Sequence, residues 1–155
     1  MSINSNQSGL LLSLRYNTIM ADLHLKIVTP ESQIRDEMVD QVNVTTTSGE
    51  IGILPHHAFL MAKIVPGELK IKKGAKIEYF ATGEGFLQVT DNTLTIMTDL
   101  AQSASDLDEK ALEQAKKRAE EALEEKLTDE EYAYTVAALE KTLAQLKVKR
   151  RHRSN

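Results

Sequence analysis

Residues 91–123, DNTLTIMTDLAQSASDLDEKALEQAKKRAEEAL, contain the change of period that decides the fold. Leu94 and Ile96 alternate with Thr93 and Thr95, the two-residue period of a strand with one buried face. Past about Leu100 that period stops. Leu112, Ala115, Ala119 and Leu123 then recur at three and four residues, which is the stripe of an amphipathic helix. Ser105, Asp106 and Asp108 just ahead offer acceptors and negative charge to the free N–H groups of a helix start.

Upstream, the short period repeats. Leu23, Leu25 and Ile27 alternate with His24 and Lys26, Val42 and Val44 with Asn43 and Thr45, Leu69 and Ile71 with Glu68 and Lys70, and Ile77 and Tyr79 flank Glu78. Thr29-Pro30, Ser48-Gly49, Pro66-Gly67, Lys73-Gly74, Gly83-Glu84-Gly85 and Asp91-Asn92 read as turns between them. Short half-buried antiparallel strands at about ten-residue spacing predict a sandwich or a barrel. Downstream, Tyr132, Val136, Leu139, Leu143 and Leu146 form a second helical stripe, and Thr128 with Glu131 makes a capping box for its start. The fold class is therefore α+β, a strand-rich domain followed by an antiparallel two-helix hairpin. The expected divisions are a disordered N-terminal extension over 1–19, a strand domain over 20–102, the hairpin over 103–149 and a basic tail over 150–155.

The hairpin seam is thin on this reading, because Ala111, Ala115, Ala119 and Ala122 bury little. A buried methyl contributes about 0.8 kcal/mol, against about 1.5–3 for a buried Leu or Val. Folded and opened hairpins keep the same helical hydrogen bonds, so the sequence permits an arm with two positions.

Composition narrows the function. The 155 residues are 41% hydrophobic, 27% charged and only 5% aromatic, with neither Cys nor Trp. That excludes disulfides, thiolate metal sites and a Cys nucleophile. No apolar run approaches the ~20 residues of a membrane span. Lys147, Lys149, Arg150, Arg151 and Arg153 put +5 on the last nine residues of a chain whose total is −4, leaving −9 on the rest. An acidic body argues against nucleic acid as the main partner. His56 and His57, as neighbours on an extended segment, point to opposite faces and do not chelate together. Gly83-Glu84-Gly85 lacks the Lys and the helix start of a phosphate loop, and reads as a hairpin turn. Glu120-Glu121 and Asp129-Glu130 lie on solvated helix faces, so no acid–base pair is indicated.

Ser48-Gly49-Glu50-Ile51-Gly52-Ile53-Leu54-Pro55 followed by His57-Ala58 resembles the signature of the F-type ATP synthase epsilon subunit family. Val28-Thr29-Pro30-Glu31, Ile64-Val65-Pro66-Gly67 with Leu69-Lys70-Ile71, Gly85-Phe86-Leu87-Gln88-Val89 and Asp106-Leu107-Asp108-Glu109 agree in order and spacing. The chain departs from the family pattern at His56, where the family has Gly, and at Phe59, Glu84 and Gln88, where it has Pro, Gly and Glu. The resemblance implies an antiparallel β-sandwich of about ten strands with a C-terminal two-helix hairpin. It implies a non-catalytic central-stalk subunit that couples proton-driven rotation to ATP synthesis. The implied partners are the gamma subunit, the c-ring and the alpha/beta catalytic hexamer, with no nucleic acid and no direct membrane insertion. The implied location is the cytoplasmic face of the bacterial inner membrane, reached through the complex. Glu50, Gly52, Leu54, Pro55 and His57 are the implied gamma and c-ring contacts. Lys147, Lys149, Arg150, Arg151 and Arg153 are the implied inhibitory tail, which would dock on an acidic segment of the beta subunit and help the helices block ATP hydrolysis; read from the residues alone, the same charges also suit a solvated terminus or, less well, RNA binding.

Some family members bind ATP on the hairpin through arginines. Here Leu107, Asp108 and Arg118 match that pattern, but Ala111, Lys141 and Gln145 stand where other arginines are expected. Losing bidentate guanidinium donors weakens phosphate recognition, so no cofactor is expected and ATP binding is disfavoured. The competing reading is an independent small β-domain binding protein with a helical appendage. It would want aromatic residues interleaved with Lys or Arg on strands, and only Tyr79, Phe80 and Phe86 are available.

Overall fold

The computed structural model describes residues 23–153; the segment read as an N-terminal extension, 1–19, lies outside the described residues. Nine strands come first: β1 (Leu23–Val28), β2 (Gln33–Val39), β3 (Gln41–Thr46), β4 (Gly49–Ile53), β5 (Leu60–Lys73), β6 (Lys76–Thr82), β7 (Gly85–Thr90), β8 (Thr93–Thr98) and β9 (Ala101–Ser103). A 3-10 turn over Ala104–Asp106 leads to α1 (Glu109–Leu123) and α2 (Asp129–Arg151). The strands form a β-sandwich and the helices an antiparallel hairpin that packs on it. Helix α2 runs to Arg151, through part of the segment read as a separate tail.

The long strand β5 belongs to both layers. Its start, Leu60–Ile64, pairs with β7, and its end, Gly67–Lys73, pairs with β6 along the same edge. Strand β3 pairs along the other edge from Ile64 to Lys72. One layer therefore runs β2-β1-β8-β7-β5 and the other β4-β3-β5-β6-β9. Two turn readings are corrected by this arrangement. Pro66-Gly67 lies inside β5, at the point where its partner changes. Gly83-Glu84 is no hairpin turn, because β6 and β7 do not pair with each other; they follow one another along β5. The remaining pairs are antiparallel except β1 with β8, which is parallel. Asp91-Asn92 does form a hairpin turn, between β7 and β8, with φ of 47° and 56°. Two positive φ values suit the right-handed twist of the flanking strands.

The core alternates as the period requires. Leu23, Leu25, Ile27, Val42, Val44, Leu69, Ile71, Leu87, Val89, Leu94 and Ile96 are buried between the layers. Strand β6 departs from the alternation read in the sequence. Ile77 is exposed, and Phe80 enters the core instead, with Arg35 over its ring at 5.1 Å. Ala81 is buried on the opposite face with Ala104, Leu107 and Val148. β6 is covered by the core on one side and the hairpin on the other, so Phe80, Ala81 and Thr82 are buried in succession. Period two marks only strands with one wet face.

Candidate functional site

Along β5, β7 and β8 the inward positions are apolar, yet so are several outward ones. Lys63 stands opposite Phe86, and Phe86 opposite Met97. Met61 lies on the same face, two residues from Lys63. Exposure is 61% for Met61, 55% for Phe86 and 43% for Met97, and Leu54 and Phe59 in the loop leading into β5 are exposed as well. An apolar face left open beside a full core marks a surface for a partner.

The loop between β4 and β5 is a turn, not the extended segment expected for the two histidines. The N–H of His57 donates to Leu54 O at 3.2 Å. His57 Nδ1 donates to Ala58 O at 2.7 Å, since a carbonyl can only accept. His56 takes φ 63° and donates its N–H to Asn92 Oδ1 at 2.8 Å. That left-handed conformation explains why the family pattern has Gly at this position. Glu50 and Gly52 lie on the exposed edge strand β4, where Asn43 Nδ2 donates to Glu50 Oε1 at 3.0 Å and Gly52 stands opposite Asn43.

The C-terminal half of α2 lies on the sandwich. Thr142, Leu146 and Val148 are its buried residues, whereas nothing on α1 is buried. The expected stripe shifts accordingly. Leu143 is exposed, Val148 replaces it against β6, and Ala111 faces solvent instead of the seam. The cause is that the sandwich as well as α1 covers this end of α2. Polar contacts follow the same line. Lys141 Nζ meets Asp99 Oδ2 at 2.5 Å, Gln145 Nε2 donates to Gln102 Oε1 at 3.1 Å, and Lys149 Nζ donates to Ala104 O at 3.2 Å.

The basic end is engaged within the chain. Arg150 pairs with Glu109 at 3.1 Å and with Glu113; Arg151 pairs with Glu68 at 3.4 Å and Arg153 with Glu109 at 3.6 Å. Lys147 and Arg151 share a groove of about 550 Å³ with Glu50, so residues of two predicted sets meet at one place. The contact of His152 with Tyr79 and Glu68 is not readable from the sequence. His152 lies 84 residues from Glu68, and no local pattern signals such a contact.

The candidate nucleotide residues are differently employed. The Asp108 side chain caps α1, accepting from Lys110 N at 3.0 Å and Ala111 N at 3.2 Å. Leu107 is buried with Ala81 and Val148, and Arg118 is exposed on α1. Among the described residues no cluster of three or more His, Asp or Glu side chains could hold a metal ion, and no helix is long and apolar enough to cross a membrane.

A β-sandwich with an open apolar face and a docked two-helix arm defines a small binding subunit. Two family models divide the chain between them: the ATP synthase delta/epsilon chain beta-sandwich domain matches residues 22–104, and the ATP synthase delta/epsilon chain long alpha-helix domain matches 105–150. An ATP synthase epsilon chain of Alkalilimnicola ehrlichii is 36% identical over 135 residues, 86% of this chain and 96% of that one. One chain of the Euglena gracilis mitochondrial ATP synthase superposes with a TM-score of 0.69 at 24% identity, covering 80% of this chain and 79% of the other. A chain from the central stalk and c-ring of the Tetrahymena thermophila mitochondrial ATP synthase gives 0.59 at 16% identity, covering 81% and 95%. The chain belongs to the ATP synthase delta/epsilon chain family and groups there with epsilon chains, accessory rather than catalytic subunits of the enzyme.

Proposed function

We propose that the sandwich fixes this subunit to the rotor and that the hairpin is a movable brake on ATP hydrolysis. The gamma subunit takes the open face of β5, β7 and β8. Glu50, Gly52, Leu54, Pro55 and His57, on β4 and the loop after it, meet the c-ring. The helices reach the alpha/beta catalytic hexamer when they leave the sandwich, and the subunit sits at the cytoplasmic face of the bacterial inner membrane through these contacts. The observation that carries the anchor is the exposure of Met61, Phe86 and Met97 on one face of a sheet whose other face is a closed core. A double variant, Phe86→Asp with Met97→Asp, tests it. Both side chains point to solvent, so the fold is retained. Affinity for gamma is expected to fall by roughly a hundredfold or more, as for buried interface anchors. Affinity within threefold of the parent would move the anchor elsewhere.

ATP binds this chain poorly on the same reading. Asp108 already accepts two backbone N–H groups, Lys141 is held by Asp99 and Gln145 by Gln102. Calorimetric titration with millimolar ATP is expected to give little heat. A micromolar dissociation constant would overturn the reading.

A further inference from the structure

We propose that His152 is the latch that holds the arm on the sandwich. Its ring stacks on Tyr79 of β6, with centroids 3.5 Å apart and planes 13° from parallel. Its Nε2 lies 2.8 Å from Glu68 Oε2 on β5. A carboxylate only accepts, so Nε2 carries the hydrogen whether the ring is neutral or charged. Only 9% of the His152 side chain is exposed, and 20% of Glu68.

Two comparisons single out this residue among the contacts of the arm. The side chains of Arg150, Arg151 and Arg153 are 52%, 63% and 68% exposed. Ion pairs so open are screened and hold little. The stack and the charge-assisted hydrogen bond of His152 are shielded, and each is stronger there. Position matters as well. The His152 N–H donates to Val148 O at 3.1 Å, and Val148 is the α2 side chain buried against Ala81, Ala104 and Leu107. His152 closes the turn that carries Val148. Without the ring's hold on Tyr79 and Glu68 that turn is less firmly pinned to the sandwich, so it can fray and expose the apolar cluster that joins helix to sandwich.

Release has a consequence for charge. In the docked state Lys149 is held by Ala104 O, Arg150 by Glu109 and Glu113, Arg151 by Glu68 and Arg153 by Glu109. Opening the latch frees the cations of the last turn that reach the sandwich, Lys149 and Arg151, so an acidic partner must compete with Ala104 O and Glu68. That significance rests on the brake proposed above, whereas the latch itself does not.

The native chain has no Cys, so two introduced ones, Lys117→Cys on α1 and Thr90→Cys on the sandwich, can be labelled cleanly. Distance distributions between the labels give the ratio of undocked to docked arm in the isolated full chain. His152→Ala and Tyr79→Ala are each expected to raise that ratio roughly tenfold, and the double variant no further than the larger single effect. His152→Phe, which keeps a ring, and His152→Gln, which keeps a donor, are expected to fall between. Far-UV circular dichroism checks that the sandwich is intact. A ratio within twofold of the parent for His152→Ala, or additive effects in the double variant, would overturn the latch. The measurement needs no motor, so its failure is distinct from failure of the brake.

Discussion

Gly85 shows how tightly single residues are fitted where the two layers join. It stands opposite Thr98, and a Cβ built on it would be driven into the Met97 carbonyl oxygen and the Thr98 Cα. Both obstacles are backbone, so neither can turn aside. Gly85→Ala is expected to destabilise the sandwich by about 3 kcal/mol, read as a lowered midpoint in thermal unfolding; an unchanged midpoint would show that β8 can give way. The sequence marks this glycine without giving its reason, since Gly83-Glu84-Gly85 looks like a turn until β6 and β7 are seen to share one edge of β5. His56 was legible as a departure from Gly, and its φ of 63° supplies the meaning. Asp108 was legible as a helix-start acceptor because capping is local. His152 was not, because its partners Tyr79 and Glu68 come from distant strands.

Elements were legible in proportion to how local their determinants are. The capping box at α2 was readable from Thr128 and Glu131 alone, and both of its bonds form. Glu131 N donates to Thr128 Oγ1 at 3.2 Å, and Thr128 N donates to Glu131 Oε2 at 2.9 Å. The bond from the Thr128 backbone, then that from its hydroxyl, holds the Glu131 carboxyl below its ordinary value. A depressed carboxylate stabilises its element above the ordinary glutamate range, and that contribution is lost as pH falls through the folded value. Acid titration of α2 helicity should therefore show a loss in the parent below pH ~4 that is smaller in Glu131→Gln, which carries no titrating carboxyl. Identical titration curves would deny the box a role. Strand β6 and the stripe of α2 were misread for one shared reason. Each has a second covered face, and the second cover comes from the other domain. Ala81 and Val148 meet across that boundary, and periodicity within either segment cannot report it.

At the scale of the whole molecule, the strand domain and the hairpin were legible as separate units, but their docking was not. The docked state makes the arm an alternative to itself. The face of α2 that holds Leu146 and Val148 is satisfied on the sandwich, and the basic end is satisfied by Glu68, Glu109 and Glu113. Leaving requires equivalent cover elsewhere, which a groove between gamma and the catalytic hexamer would supply. Exposed cations are drawn to an acidic surface over about a Debye length of 8–10 Å, so under the proposed brake the basic end would favour capture once free. The most direct measurement is ATP hydrolysis by the assembled motor, carrying either the full chain or a chain ending at Thr128, with other regulators absent. The account predicts faster hydrolysis with the shortened chain at equal subunit stoichiometry, because the sandwich remains as anchor while the second helix is gone. Equal rates in the two assemblies would contradict it.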